Sequence, residues 1–359
     1  MIDPAAFARL LCGYCLEVQA GEQVVVRSTT LAAPLLLALQ AELLEREAWP
    51  LLRTELPQAA EEWWGAAGDG HLDEFAPAEL AEAEQTDASI SIQAPENATA
   101  LAGVDPARMA RAARARAPIR EAAMQRRWCA TLWPTPAGAQ RAGMGSAQFA
   151  NFVRRAMFLD RDDPAAAWGE LRALQDRLIE RLSRTSELRI EADGTDLRLS
   201  VAGRTWVNSD GRRNMPSGEV FTGPVEDSAE GRIRFTIPSS PRGTEVAGIE
   251  LEFREGRVVD ARADRGQEYL LATLDTDAGA RLLGEIGIGT NAGIDRPTGA
   301  ILFDEKIGGT VHLAIGRSYP ETGGTNESAV HWDMICDLRA GGRLSADGEV
   351  IQQDGVTRA

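Results

Sequence analysis

Near residue 188 the apolar pattern of this 359-residue chain changes period, and that change limits the fold more than any other feature. Before it, apolar and β-branched runs alternate with helical patterns. Residues 3–19 carry helical spacing, Gln23-Val24-Val25-Val26 reads as a strand, and Trp49–Leu56 and Ala88–Ile92 read as two more. Pro34 suits the first turn of a helix over Leu35–Glu45. Strands separated by helices predict a mostly parallel, helix-covered sheet. An Arg/Ala-rich helical segment runs from Pro106 to about Arg127, and two more helix patterns cover 146–158 and 164–183. From Leu188 the segments 188–192, 196–201, 231–237 and 248–253 alternate apolar with polar residues. That is the mark of half-buried antiparallel strands. One helix is expected near 276–283. The predicted fold is therefore α/β plus α+β. An N-terminal α/β domain, 1–130, precedes a mainly antiparallel, barrel-like C-terminal domain with flanking helices, 131–359. The proline-broken Cys129–Pro136 is the expected connection.

Charge narrows the partners. A formal charge of −16 argues against nucleic acid and anionic membrane, which both want a basic face. No apolar stretch is long enough for a membrane span, and the segment from Met1 has no basic start followed by an apolar run, so a cytoplasmic location is expected. The four cysteines include Cys12 and Cys15 in a C-x-x-C spacing, but no second pair completes a zinc site, and core thiols are the expectation. Of 38 basic residues a single one, Lys306, is lysine. Where arginine serves everywhere else, that position points to a need for a compact ammonium. The competing reading is a surface ion pair with Asp304 or Glu305.

Ligand chemistry concentrates in the last third. His312 and His331, two of the three histidines, stand nineteen residues apart in a glycine-rich, acidic stretch. His331 and Asp333 are two apart, so in a strand both side chains share a face. Two imidazoles and a carboxylate suit Zn, Co, Mn or Fe. Glu219, Glu285 and Tyr319 also sit among small residues, in 214–224, 284–291 and 304–319. Any one of these alone is more often a solvated acid or a core ring.

Taken in order, the segments resemble the thermophilic aminopeptidase family, the dinuclear metallopeptidases of the aminopeptidase T and S type. The resemblance rests on Asn214-Met-Pro-Ser-Gly-Glu219-Val-Phe-Thr, Glu285-Ile-Gly-Ile-Gly-Thr-Asn291, Asp304-Glu-Lys-Ile-Gly-Gly-Thr-Val-His312 and Ser328-Ala-Val-His331-Trp-Asp333. Trp133-Pro-Thr-Pro-Ala-Gly-Ala-Gln140 and the closing Asp347–Gly355 also fit. The resemblance implies a ligand set of Glu219, Glu285, His312, His331 and Asp333, with Tyr319 at or beside a metal. It implies two divalent ions, Zn, Co or Mn, a C-terminal catalytic domain, and a homodimer that removes N-terminal residues from short peptides. Two such ions about 3.5–4 Å apart share a water and lower its pKa. Lys306 and Tyr319 are the candidates for donating to the oxyanion. Glu285 is a candidate for relaying the water's proton, a role that Glu219 fits equally. An alternative from His312, His331 and Asp333 alone is a mononuclear Fe(II) ring-cleaving dioxygenase of related fold; Glu219, Glu285 and Tyr319 count against it.

Overall fold

The computed structural model describes residues 2–239, 241 and 244–358. The chain forms two compact units. The first takes the residues up to Ala165 together with Gly211–Pro216, and the second takes Ala166–Asp210 and the residues from Ser217 onward.

The first unit is built on a five-stranded, all-parallel sheet. Its strand order is Trp49–Glu55, Gln23–Thr29, Ala88–Gln93, Arg127–Leu132 and Asn214–Met215. The inner strands read as apolar runs because parallel sheets are covered on both faces; Val24, Val25, Val26 and Ile90 are buried. Helix Ala33–Glu45 has a proline in its first turn and buries Leu35, Leu36, Leu39 and Leu43, one stripe at helical spacing. The expected helix over 3–19 is a short α-helix, Pro4–Arg9, that continues as a π-helical turn through Leu10–Cys15. Cys12 and Cys15 are buried there as thiols. The segment after Pro106 is two helices, Pro106–Ala115 and Ala117–Met124, since Pro118 cannot continue the first. Cys129–Leu132 does not link domains. It lies in strand Arg127–Leu132, paired with Ala88–Gln93, and only the residues after it are proline-broken. Residues 131–165, with helices Pro136–Arg141 and Ser146–Ala156, group with this first unit.

The second unit holds two antiparallel sheets. The eight-stranded one runs Arg257–Arg262, Ile249–Arg254, Glu230–Phe235, Thr195–Ser200, Glu187–Ala192, Arg343–Ala346, Glu349–Gln353, Val356–Thr357. The five-stranded one runs His331–Asp337, Thr310–Gly316, Leu283–Gly289, Glu219–Thr222, Val207–Ser209. Leu188, Ile190, Leu197 and Phe253 of the first sheet share a core with Ile286 and Leu313 of the second. The helix expected near 276–283 lies earlier, at Gln267–Leu274. Asp275 caps it, and within the expected span the Asp277 carboxylate accepts from the Gly279 and Ala280 amides, which makes a side-chain-capped turn in place of a helix.

Candidate metal centre

The site is one face of the five-stranded sheet. Side chains two apart on a strand share a face, so Glu219 goes with Phe221, Glu285 with Gly287, His312 with Ala314, and His331 with Asp333. The register then sets large against small. Gly287 lies opposite both Phe221 and His312, Ala314 opposite both Glu285 and Asp333, and Gly316 opposite His331. Each ligand-type side chain thus has room to lean over a residue that has little or no side chain. A Cβ at Gly287 would stand 2.1 Å from His312 Cε1 and 2.1 Å from Nε2, so the imidazole already fills the space above that glycine.

These residues converge as two groups that share Glu285. Glu219, Glu285 and His312 form one, and Glu285, His331 and Asp333 form the other; within each, one ligand atom per residue lies within 4.8 Å of the rest. His312 Nε2 is 3.3 Å from Glu219 Oε2 and 3.4 Å from Glu285 Oε1. His331 Nε2 is 3.5 Å from Glu285 Oε2 and 3.5 Å from Asp333 Oδ2. The other nitrogen of His331, Nδ1, donates to the Arg317 carbonyl at 2.8 Å. A carbonyl only accepts, so the proton sits on Nδ1 and Nε2 is left free to ligate. That is the usual way a protein orients a metal-binding imidazole. Among the described residues, Glu219 Oε2 and His312 Nδ1 are buried without a hydrogen-bond partner. An acceptor oxygen buried without a donor costs free energy unless a cation meets it. The donor set fits divalent ions on both counts.

Lys306 is no surface charge. It is 0% exposed, its Nζ is 3.3 Å from Glu219 Oε1, and it pairs with Glu305. Backbone bonds hold it there: Asn291 N donates to the Lys306 carbonyl at 3.1 Å, and the Asn291 side chain donates to Ser217 O, two residues before Glu219. Asp304, the other partner considered, instead accepts from the Thr298 and Gly299 amides. Gln175 donates to the Glu219 carbonyl at 3.0 Å and to Thr290 Oγ1 at 3.0 Å, which fixes the strand end that carries Glu219. The Tyr319 ring lies edge-on to His331, with centroids 5.2 Å apart, and tilted against Phe221 at 5.6 Å.

The packed charges shift one another. Burial raises the Glu219 and Glu285 carboxyls above the usual range, against the pull of Lys306 on the first and of His312 on the second. Burial, then the charges of Glu305 and Glu285, hold Asp333 up to about 6. Burial opposes charge on His312, but the bond to Glu285 and the field of Glu219 outweigh it and push the imidazole up to about 9. His331 is raised in the same way: Asp333 and Glu285 overcome its burial. Lys306 is held above its ordinary value by Glu219 and Glu305, again against burial. Burial and the surrounding carboxylates keep the Tyr319 phenol protonated, so it is a donor.

All the candidates named from the sequence lie on or beside this face. Sequence reasoning missed three residues. Glu305 was considered only as a surface partner of Lys306, whereas its charge bears on Asp333 and Lys306. Phe221 was passed over inside a quoted segment, although its spacing of two from Glu219 puts it on the same face. Gly287 showed no signal in a single sequence, because its role depends on the register with His312.

Three carboxylates and two imidazoles, with no thiolate, exceed the four ligands that close a structural zinc site. Such a set suits a catalytic centre rather than a structural one. The comparisons agree: the chain belongs to the thermophilic metalloprotease family, M29, whose pattern matches residues 4–355. Aminopeptidase 2 of Geobacillus stearothermophilus is 35% identical over 317 residues, which is 77% of this chain and 74% of that protein. Aminopeptidase T of Thermus thermophilus is 33% identical over 222 residues, 55% of this chain and 53% of that one. Against this relative the alignment spans about half the protein's length. A solved structure of wild-type AmpT from Thermus thermophilus matches with a TM-score of 0.86 at 25% identity, covering 99% of each chain. The ring-cleaving dioxygenase alternative finds no support: the family is one of metalloproteases, and Glu219 and Glu285 stand among the histidines instead of apart from them. No helix among the described residues is long and apolar enough to cross a membrane.

Proposed function

We propose that this protein is a metal-dependent aminopeptidase that removes N-terminal residues from short peptides. The observation that carries the reading is the pair of carboxylate–imidazole groups joined through Glu285. On this reading Glu219 and His312 would hold one divalent ion, His331 and Asp333 a second, and Glu285 would serve both, with Tyr319 at or beside a metal; Zn, Co or Mn suits the donors. Such a pair, when bound, supplies a water acidified towards neutrality.

The chain's own residues do the rest. A carboxylate of the cluster, Glu285 or Glu219, would take the proton that the water gives up and pass it to the leaving amine. Lys306, charged and held 3.3 Å from Glu219, offsets negative charge where the carbonyl oxygen develops it. Tyr319 donates its phenolic hydrogen towards the same oxygen. The ligands all fall within the second unit, from Ser217 onward, which we take as the catalytic one. We place the protein in the cytoplasm as a homodimer. The support is the resemblance and four buried cysteines that form no disulfide, which suit a reducing compartment. A monomer by light scattering would remove the dimer from this proposal.

The test is hydrolysis of leucine p-nitroanilide after loading with Co²⁺ or Zn²⁺, with metal counted per chain. Two ions and turnover are expected, and His331→Ala or Glu285→Ala should abolish both turnover and full loading while circular dichroism stays native. One ion, or no turnover of any aminoacyl substrate when loaded, defeats the reading.

A further inference from the structure

Phe221 takes no part in the ligand set, yet the fold fixes it beside that set. It stands two residues from Glu219 on strand Glu219–Thr222, so both side chains rise from one face. Across the sheet it lies opposite Gly287, which lies opposite His312; only a residue without a side chain separates the phenyl ring from the imidazole in that row. The other three residues of the strand are buried, whereas Phe221 is partly exposed. Its ring meets Tyr319 at 5.6 Å, tilted by 59°, and Tyr319, 40% exposed, meets His331 edge-on at 5.2 Å. Two solvent-reachable aromatic rings thus run continuously into a cluster that is otherwise acidic and basic.

In any peptide the first side chain branches from the carbon that bears the α-amine and adjoins the scissile carbonyl. When those groups sit at the carboxylate–imidazole cluster, that side chain leaves within one carbon of them and meets whatever wall adjoins it. From this we infer that Phe221, with the Tyr319 ring, forms the wall that receives the first side chain, and that it selects leucine- or phenylalanine-sized apolar residues over glycine and alanine. The inference deepens the peptidase reading and rests on it. The rings remove apolar area of the substrate from water without presenting a charge or an unpaired polar group, so the preference grows with side-chain size.

The experiment compares wild type, Phe221→Ala and Phe221→Leu as the full-length, metal-loaded protein. Turnover is read with leucine and alanine p-nitroanilides, and binding, independently of turnover, with leucine and glycine hydroxamates. In wild type the leucine forms should be favoured by about tenfold or more, the order that a methylene or two in an apolar pocket supports. Phe221→Ala should bring that ratio close to one through a raised KM for the leucine substrate, with metal content unchanged; Phe221→Leu should fall between. A ratio that moves by less than twofold in Phe221→Ala overturns the wall, as does a variant that loses metal or loses both substrates equally. If loaded wild type turns over nothing, the peptidase reading fails, while the hydroxamate ratios still decide whether the wall selects size.

Discussion

Gly287→Ala is the substitution that tests the geometry of the site most directly. Strand Leu283–Gly289 is extended there and Gly287 has an ordinary strand φ, so alanine suits the backbone and the perturbation is purely steric. The new Cβ would stand 2.1 Å from His312 Cε1 and Nε2 and 3.0 Å from Nδ1. Carbon atoms at rest are about 3.5 Å apart, so the ring must retreat by about 1.4 Å. It cannot swing freely: His312 is 0% exposed, and its strand neighbours Val311 and Leu313 are buried as well. Overpacking of this kind costs about 1–3 kcal/mol. The effect on metal is larger in kind, because ligand distances are tolerated only within about 0.2 Å. A residue that merely orients a ligand is worth about 10–100-fold in metal affinity; displacing the ligand itself should cost at least the upper end of that range. Equilibrium dialysis against Zn²⁺ reads the affinity, and denaturant unfolding of the metal-free protein reads the strain. The control is His312→Ala: with the imidazole gone, adding alanine at 287 should cost almost nothing further, a coupling of about 1–3 kcal/mol. Unchanged affinity in Gly287→Ala, or a full cost that persists in the His312→Ala background, would refute the reasoning.

Two further predictions concern charge. Lys306→Arg should keep the metal content but lower turnover by about 10²-fold, because a planar fork cannot stand where a compact ammonium meets Glu219 and Glu305; wild-type turnover would take Lys306 out of the chemistry. His312, pushed up from 6.5 to about 9 in the metal-free protein, is charged at neutral pH. A ligand must be neutral, so metal binding should release a proton and weaken as pH falls from about 9; calorimetry in buffers of different ionisation enthalpy measures the release. The same shift sets the sign for stability. A raised folded pKa stabilises fully below about 6.5, and that contribution disappears as pH rises through about 9. Denaturant unfolding of the metal-free protein should therefore show a His312-dependent loss between those limits, absent in His312→Ala.

Periodicity made the architecture legible because it reports local constraints. Val24–Val26 lies inside a parallel sheet and reads as a continuous apolar run, whereas Leu197 and Leu199 alternate with polar residues because one face of their sheet is covered. Errors came where a turn depends on one side chain. The Asp277 carboxylate bonds to the Gly279 and Ala280 amides, and no helical spacing reveals this. Cys129–Leu132 looked like a linker because the prolines that follow overshadowed a run that the sheet accepts as a strand.

The ligand-type residues were legible for a different reason: His312, His331 and Asp333 stand out by type and spacing, and the ordered segments resemble a family whose ligand set adds Glu219 and Glu285. The residues that aim those groups are chemically bland, and their meaning appears only after strands are paired. Gly287 is one of 35 glycines until the register sets it under His312. Phe221 is an ordinary strand phenylalanine until Gly287 leaves the row open between it and the imidazole. Glu305 looks like half of a surface ion pair until Lys306 proves buried, and then it becomes one of the charges that hold Asp333 up. A single sequence therefore exposes the groups that carry charge, and conceals the small and apolar ones that decide where the charge is held.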